Sequence, residues 1–275
     1  MIMQIPARKD IKVFRILTIV ILMLQHAPTQ ARDTQCDSVL NVGDVAIQPE
    51  EKGPAEKTFS AKQLILPLSL TAVGTFAVYN GWCREVCEDV NSEMSHMRGS
   101  RYLHFDDYIQ YAPAVVYFGL GFTGVKTKHT FRQRVAVEIT SYLAMAALVN
   151  AMKYSIRERR PDSGARNSFP SGHTATAFTG AELIREEYGN WWGAGAYTVA
   201  TGVAFLRLYN GRHWLNDVIA GAGIGILSAR IGYWMLPLYN KWFHWDKKPN
   251  KAIVSMMPSY NPAEKSANLS LYVAF

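Results

Sequence analysis

The chain is short of cysteine, of charge and of long uninterrupted apolar runs. Three cysteines in 275 residues, Cys36, Cys83 and Cys87, exclude a disulfide-dense scaffold. The odd count allows one bridge, but Cys83 and Cys87 stand at helical spacing, where thiols more often stay reduced, and no metal-ligand pattern surrounds them. Charged residues make up 19% of the chain, and no segment reads as a nucleic-acid-binding module, so the net charge of +7 points to anionic lipid as the neighbour rather than nucleic acid. The absence of an internal repeat excludes a solenoid, and the length then gives one main domain.

What is present instead is a series of apolar stretches, at 63–82, 108–125, 134–152, 172–186, 191–208 and 214–238, all readable as helices. Several are only 15 to 18 residues long between charges, and some carry an internal charge such as Glu138 or Arg230, whereas a clean span takes about 20 residues. Mean hydropathy is −0.05. The expected fold is all-α, a six-helix bundle associated with a membrane, with Trp191, Trp192, Trp234, Trp242 and Trp245 near helix ends as interfacial aromatics. At the amino end, Arg8, Lys9, Lys12 and Arg15 precede the apolar run Ile16 to Leu24 and then Thr29-Gln30-Ala31, which reads as a secretory signal over 1–31, with an uncleaved anchor as the alternative. Residues 32–60 read as a flexible lead-in, 61–245 as the helical domain and 246–275 as a tail. In that tail, 252–257 and 267–275 alternate around a turn-rich Tyr-Asn-Pro, the pattern of a hairpin.

Three spaced patterns carry chemistry. They are Lys153-(x6)-Arg160-Pro161, then Pro170-Ser171-Gly172-His173, then Arg207-(x5)-His213-(x3)-Asp217. Together they place three cations, two histidines and a carboxylate within about 65 residues, the inventory needed to hold a phosphate, attack its phosphorus and protonate the departing oxygen without a metal or other cofactor. Lys153, Arg160 and Arg207 can clamp phosphate oxygens by charge-assisted hydrogen bonds. Ser171 and Gly172 open a helix, where free backbone N–H groups favour an anion. His213 and Asp217 stand four apart on a helical stretch, so Asp217 can hold Nδ1–H of His213 and leave Nε2 to attack. His173 remains as the proton donor and acceptor. Taken singly each pattern has a plainer reading, a solvated basic loop, a turn before a helix or a surface hydrogen bond; their joint spacing favours the chemistry. Arg157, Arg159, Arg166 and Arg212 fall outside the patterns and read as surface charge or headgroup contacts.

These motifs, over roughly residues 150 to 238, resemble those of the type 2 phosphatidic acid phosphatase family, which also holds bacterial acid phosphatases and vanadium haloperoxidases. One position departs: the family's third motif usually has Ser before its Arg, and here Leu206 stands there. The resemblance implies a metal-independent phosphatase with the roles just given, acting on an envelope lipid. The run Tyr209 to Asp217 is similar to members that act on lipid A, which makes lipid A the first expectation; undecaprenyl diphosphate, phosphatidylglycerol phosphate and phosphatidic acid are alternatives. A soluble broad-specificity acid phosphatase and a lipid-phosphate binder or transporter are the rival classes, and no obligate protein partner is expected. In a six-helix bundle all three motifs fall at one end. The opposite loop, 126–134, holds Lys126, Lys128, Arg132 and Arg134, which places the motif end at the periplasmic face of a bacterial inner membrane. That expectation and a cleaved leader agree only if one of the six segments does not span.

Overall fold

The computed structural model describes residues 60–245 together with the strands at 253–261 and 266–274. The expected leader, Cys36 and nearly all of the expected lead-in lie outside the described residues. Eight helices are present among the described residues rather than six: α1 Lys62–Tyr79, α2 Gly81–Arg98, α3 Asp106–Ile109, α4 Ala112–Phe122, α5 Phe131–Ile156, α6 Gly172–Tyr188, α7 Asn190–Tyr209 and α8 Leu215–Phe243. The two additional elements are α2 and α3. Helix α2 is too polar to register as an apolar stretch, and only Cys87, Val90 and Met94 are buried along it. Those three share one face, which is enough to dock an amphipathic helix. Cys83 and Cys87 are free thiols.

Local sequence explains most boundaries. Asn80 accepts from the Cys83 amide and starts α2. Thr130 and Gln133 form a reciprocal capping box that starts α5, satisfying two of the amides a helix leaves free at its first turn. Arg157 closes α5 in the left-handed region, with φ 54°, and turns the chain into the loop that holds the first motif. Gly189, at φ 96°, makes the reversal between α6 and α7.

Helices α6, α7 and α8 form the centre. Phe178, Leu183, Ile184, Ala200, Val203, Ile226 and Ala229 interlock there, each at most 1% exposed. Helix α8 lies on α6 with backbones in contact: a Cβ on Gly221 would stand 2.6 Å from the Ser171 carbonyl oxygen, and one on Gly225 would stand 2.5 Å from that of Ala175. Only glycine permits this approach. Helix α1 runs alongside α8 in the opposite sense. The Gln63 side chain accepts from Trp234 Nε1 at 2.9 Å, whereas Gly74 lies against Asn216 and Ala220, so α1 begins at the end remote from the motifs. Helix α2 instead lies across the motif-bearing end, because its start pairs with Glu158 through Arg84 and its finish reaches the Tyr209 carbonyl through Arg98.

The remote end is closed by buried ion pairs. Glu182 accepts from Arg185 at 2.6 Å, Arg230 at 2.8 Å and the Tyr197 hydroxyl at 2.7 Å, which accounts for a charge inside α8. Glu187 lies 2.7 Å from His129 Nδ1 and accepts from Tyr233 at 3.0 Å. Of the four cations in the 126–134 segment, Arg134 is 3% exposed and donates to the Tyr117 carbonyl, and Lys128 donates to the Glu186 carbonyl. Lys126 and Arg132 are exposed.

Three helices, α1, α5 and α8, are long and apolar enough to cross a membrane, and 11% and 22% of the α1 and α5 windows are buried. Ile65, Val73 and Phe76 on α1 and Ile139 and Leu143 on α5 face outward, as expected where lipid replaces protein. Trp191 is fully at the surface and Trp192 half so. Residues Pro237–Phe275 form a second compact unit, in which Ile253–Asn261 and Ser266–Ala274 pair antiparallel from Ile253↔Ala274 to Asn261↔Ser266.

Candidate active site

Helix ends and the loops between them assemble the site. Lys153 sits in the last turn of α5, and its Nζ donates to the Asn167 carbonyl at 2.5 Å. The loop that follows is folded on itself: Arg160 N–H donates to the Ala165 carbonyl, and Ser168 N–H to that of Glu158. Arg160 Nε is held by the Asn167 side chain at 2.7 Å, which restrains the guanidinium. Ser171 caps α6 by accepting from the Thr174 amide and hydroxyl. Its own amide donates to the Asp217 carbonyl at 3.0 Å, so the second and third motifs are joined through backbone. An added Cβ on Gly172 would meet only Val149, at 3.9 Å, so no protein contact enforces glycine there.

His213 and Asp217 pair as their four-residue spacing predicts, Nδ1 to Oδ2 at 3.1 Å with both side chains at most 1% exposed. Oδ2 also accepts from the Trp214 amide at 2.9 Å and from Ser168 Oγ at 2.5 Å. Oδ1 of Asp217 is buried, and the Glu158 carboxyl lies within hydrogen-bonding range of Asp217. His213 is held neutral: burial pushes its pKa well below the usual imidazole value, and the charges of Arg160, Arg207, Lys153 and His173 push in the same direction. All four thus lie within electrostatic range of this one ring. Beneath lies Glu158, 6% exposed, which takes Arg84 at 2.9 Å and Asn216 Nδ2 at 2.9 Å. Burial, and then the charge of Asp217, raise its carboxyl above the usual range. Trp214 anchors the turn by donating to the Arg159 carbonyl, under the Arg84 guanidinium.

Arg207 and His173 meet across a pair of carboxylates from α3. Arg207 NH1 donates to Asp106 Oδ2 at 2.7 Å and to Asp107 Oδ1 at 3.0 Å, and that same Asp107 oxygen lies 2.8 Å from His173 Nε2. Asp106 is 1% exposed and Asp107 53%. Asn210 ties the segment down by bonding Leu103 at both its amide and carbonyl. Burial lowers the His173 pKa first and Arg207 adds to it, with Asp107 opposing. For Asp107, slight burial opposes ionisation, and the hydrogen bond from His173 and the charge of Arg207 outweigh it.

Sequence reasoning missed Asp106, Asp107, Ser168, Glu158 and Asn210. The adjacent acids just ahead of an apolar segment were the available signal for α3; nothing local marks Ser168 or Glu158. Leu206 is buried and belongs to the packing of α7. Of the basic residues outside the motifs, Arg212 pairs with Asp162 at 3.0 Å.

Residues 135–241 match the PAP2 superfamily. The chain is 36% identical over 181 residues to lipid A 1-phosphatase of Porphyromonas gingivalis, covering 62% of this chain and 40% of that protein. It is 38% identical over 74 residues to the bacitracin transport permease protein BcrC of Bacillus licheniformis, covering 26% and 34% respectively. The matched region thus spans less than half the length of either curated relative. Among solved structures, it is similar to LpxE of Aquifex aeolicus, with TM-score 0.41 and 23% identity over 51% of this chain and 92% of that one. A PAP2-type phosphatidylglycerolphosphate phosphatase of Bacillus subtilis gives TM-score 0.46 and 20% identity over 68% and 99%.

Proposed function

We propose, from the premise that residues 135–241 are a PAP2 superfamily domain, that this chain is a lipid phosphate phosphatase working through a phosphohistidine, with lipid A as its substrate. The observation that carries the reading is the buried His213, held at Nδ1 by Asp217, with Lys153, Arg160, Arg207 and His173 within electrostatic range of its ring. Nε2 of His213 attacks phosphorus while the ester P–O bond breaks, and His173 gives its proton to the departing oxygen. Lys153, Arg160, Arg207 and the amides at the start of α6 hold the remaining phosphate oxygens, where charge is spread in the transition state. Asp217 stabilises the imidazolium as the P–N bond forms. Water then surrenders a proton to His173 and attacks phosphorus, and the P–N bonding pair returns to Nε2.

Two features favour a lipid over a soluble ester. The helices that face outward are apolar, and Phe105, Tyr108 and Tyr111, on either side of Asp107, are exposed at 49%, 82% and 55%. An aromatic rim beside the phosphate site suits a headgroup whose tails stay in the bilayer. The 36% identity to a lipid A 1-phosphatase supports lipid A within that class.

The motif end is assigned to the periplasmic face of the inner membrane, since exposed Lys126 and Arg132 lie at the other end and cationic loops favour the cytoplasm. Because α1 starts at that other end, a leader removed outside the membrane just before α1 and a periplasmic site exclude each other. Labelling single cysteines placed at Gly124 and Ser163 with an impermeant maleimide in intact spheroplasts decides: the assignment requires reaction at position 163 alone.

The test of function is phosphate release from lipid A by the purified full chain in detergent. Release should survive excess chelator and be blocked by vanadate, and His213→Ala should abolish it with helicity retained. Turnover by His213→Ala, or loss in chelator restored by a divalent ion, overturns the mechanism; p-nitrophenyl phosphate cleaved as fast as lipid overturns the substrate class.

A further inference from the structure

The short helix α3 sets a carboxylate oxygen between the cation and the acid of the proposed reaction. Asp107 Oδ1 is 3.0 Å from Arg207 NH1 and 2.8 Å from His173 Nε2, so one oxygen satisfies two groups that must both face the substrate. In a phosphate ester the oxygens that meet a clamping guanidinium and the oxygen that meets the proton donor are bonded to one phosphorus. A carboxylate bridging the two groups therefore has the position and the sign of charge of the substrate. We propose, resting on the phosphatase reading above, that Asp107 is the residue the substrate displaces: it holds Arg207 and His173 together when no phosphate is bound and thereby sets the affinity of the site.

The two aspartates divide the work. Asp106 is 1% exposed, contacts Arg207 at 2.7 Å and is itself approached by Asn210 Nδ2 at 3.4 Å, so Arg207 keeps its place when Asp107 leaves. Asp107 is 53% exposed and has solvent to move into. An orienting carboxylate works differently, as Asp217 does for His213: it takes the ring nitrogen turned away from the substrate and touches no phosphate-binding cation. Exchange of a monoanionic carboxylate for a phosphate dianion also leaves more negative charge beside His173, which favours its protonated, donating form. Asp107 thus selects for ligands whose charge exceeds its own.

Asp107→Asn and Asp107→Ala in the full chain test this. Orthovanadate should bind about two- to fivefold more tightly to both variants, because an ion pair with an exposed carboxylate competes by roughly that factor. KM for lipid A should fall by a similar factor. Asp106→Asn, which removes the anchor, should weaken vanadate binding instead. Unchanged or weaker vanadate binding by both Asp107 variants overturns the proposal. So does a fall in kcat at constant KM, which would make Asp107 a positioning partner of His173. If the parent chain releases phosphate and these variants fail the test, only the displacement idea is lost; a parent that neither binds vanadate nor releases phosphate removes the phosphatase reading and this inference together.

Discussion

Ser168 Oγ lies 2.5 Å from Asp217 Oδ2 and makes that oxygen the shared acceptor of a hydroxyl, the Trp214 amide and the His213 ring. The loop of the first motif is thereby bonded to the carboxylate of the third. Ser168→Ala frees one side of Asp217 and leaves every phosphate contact in place. It should lower kcat by roughly tenfold, the worth of one hydrogen bond to a charged group, at constant KM. Asp217→Asn reverses a donor and an acceptor around His213 and should cost on the order of a thousandfold or more in kcat. Steady-state phosphate release measures both; an equal loss in the two variants would contradict the assignment of Asp217 as the orienting group.

Arg207→Lys should be far from neutral. A lysine reaching Asp106 presents one ammonium in place of a fork and cannot also face the phosphate with fixed geometry. A loss of about ten- to a hundredfold in kcat/KM is expected from a charge-assisted hydrogen bond, and vanadate competition curves read the binding part of it separately.

The neutral state of buried His213 gives stability a pH dependence with a definite sign. Its folded pKa lies below the value of about 6.5 for the unfolded chain. Below that value the unfolded chain takes up a proton that the folded one does not. This contribution is therefore fully present above about pH 6.5 and declines as pH falls, by up to about 1.4 kcal/mol per pH unit. His173, also lowered, acts in the same sense. Glu158, whose carboxyl is raised, acts in the opposite sense over the same range, so the His213 contribution is read as a difference: from pH 7.5 to 5.0, thermal melts of the detergent-solubilised parent should lose stability relative to His213→Gln.

Gly221→Ala should harm the site as well as the fold. The new methyl would stand 2.6 Å from the Ser171 carbonyl, so α6 or α8 must shift at the cap that precedes His173. A destabilisation of about 1 to 3 kcal/mol is expected from such overpacking, with kcat falling beyond what unfolding explains. Gly195→Ala, where nothing lies within 4 Å of an added Cβ, should be tolerated and serves as the control.

Much of this architecture was readable in the residues. The central helices follow the apolar stretches to within a few positions; the His213–Asp217 pair, expected from a spacing of four along a helix, forms instead across the helix start, with His213 in the bend before Leu215. What was not readable depends on contacts distant in sequence. Helix α2 hid because its composition is polar and its three buried residues mean something only against the bundle end. Asp106 and Asp107 look like ordinary loop acids until the fold brings them 2.7 Å and 3.0 Å from Arg207, a hundred positions away. Arg134 reads as a loop cation that reports topology, whereas it is buried against Tyr117; a count of basic residues cannot separate the two.

The glycine contacts between α6 and α8 bear on how the site accommodates its ligand. The helix that carries His173 and the helix that follows His213 touch backbone to backbone at Gly221 and Gly225, with no side chain at those crossings to yield. The pair works as a caliper locked at one opening. Tolerance for headgroups of different breadth then falls to the jaw opposite, the short α3 segment, whose Asp107 and neighbouring tyrosines are exposed while His213 is buried.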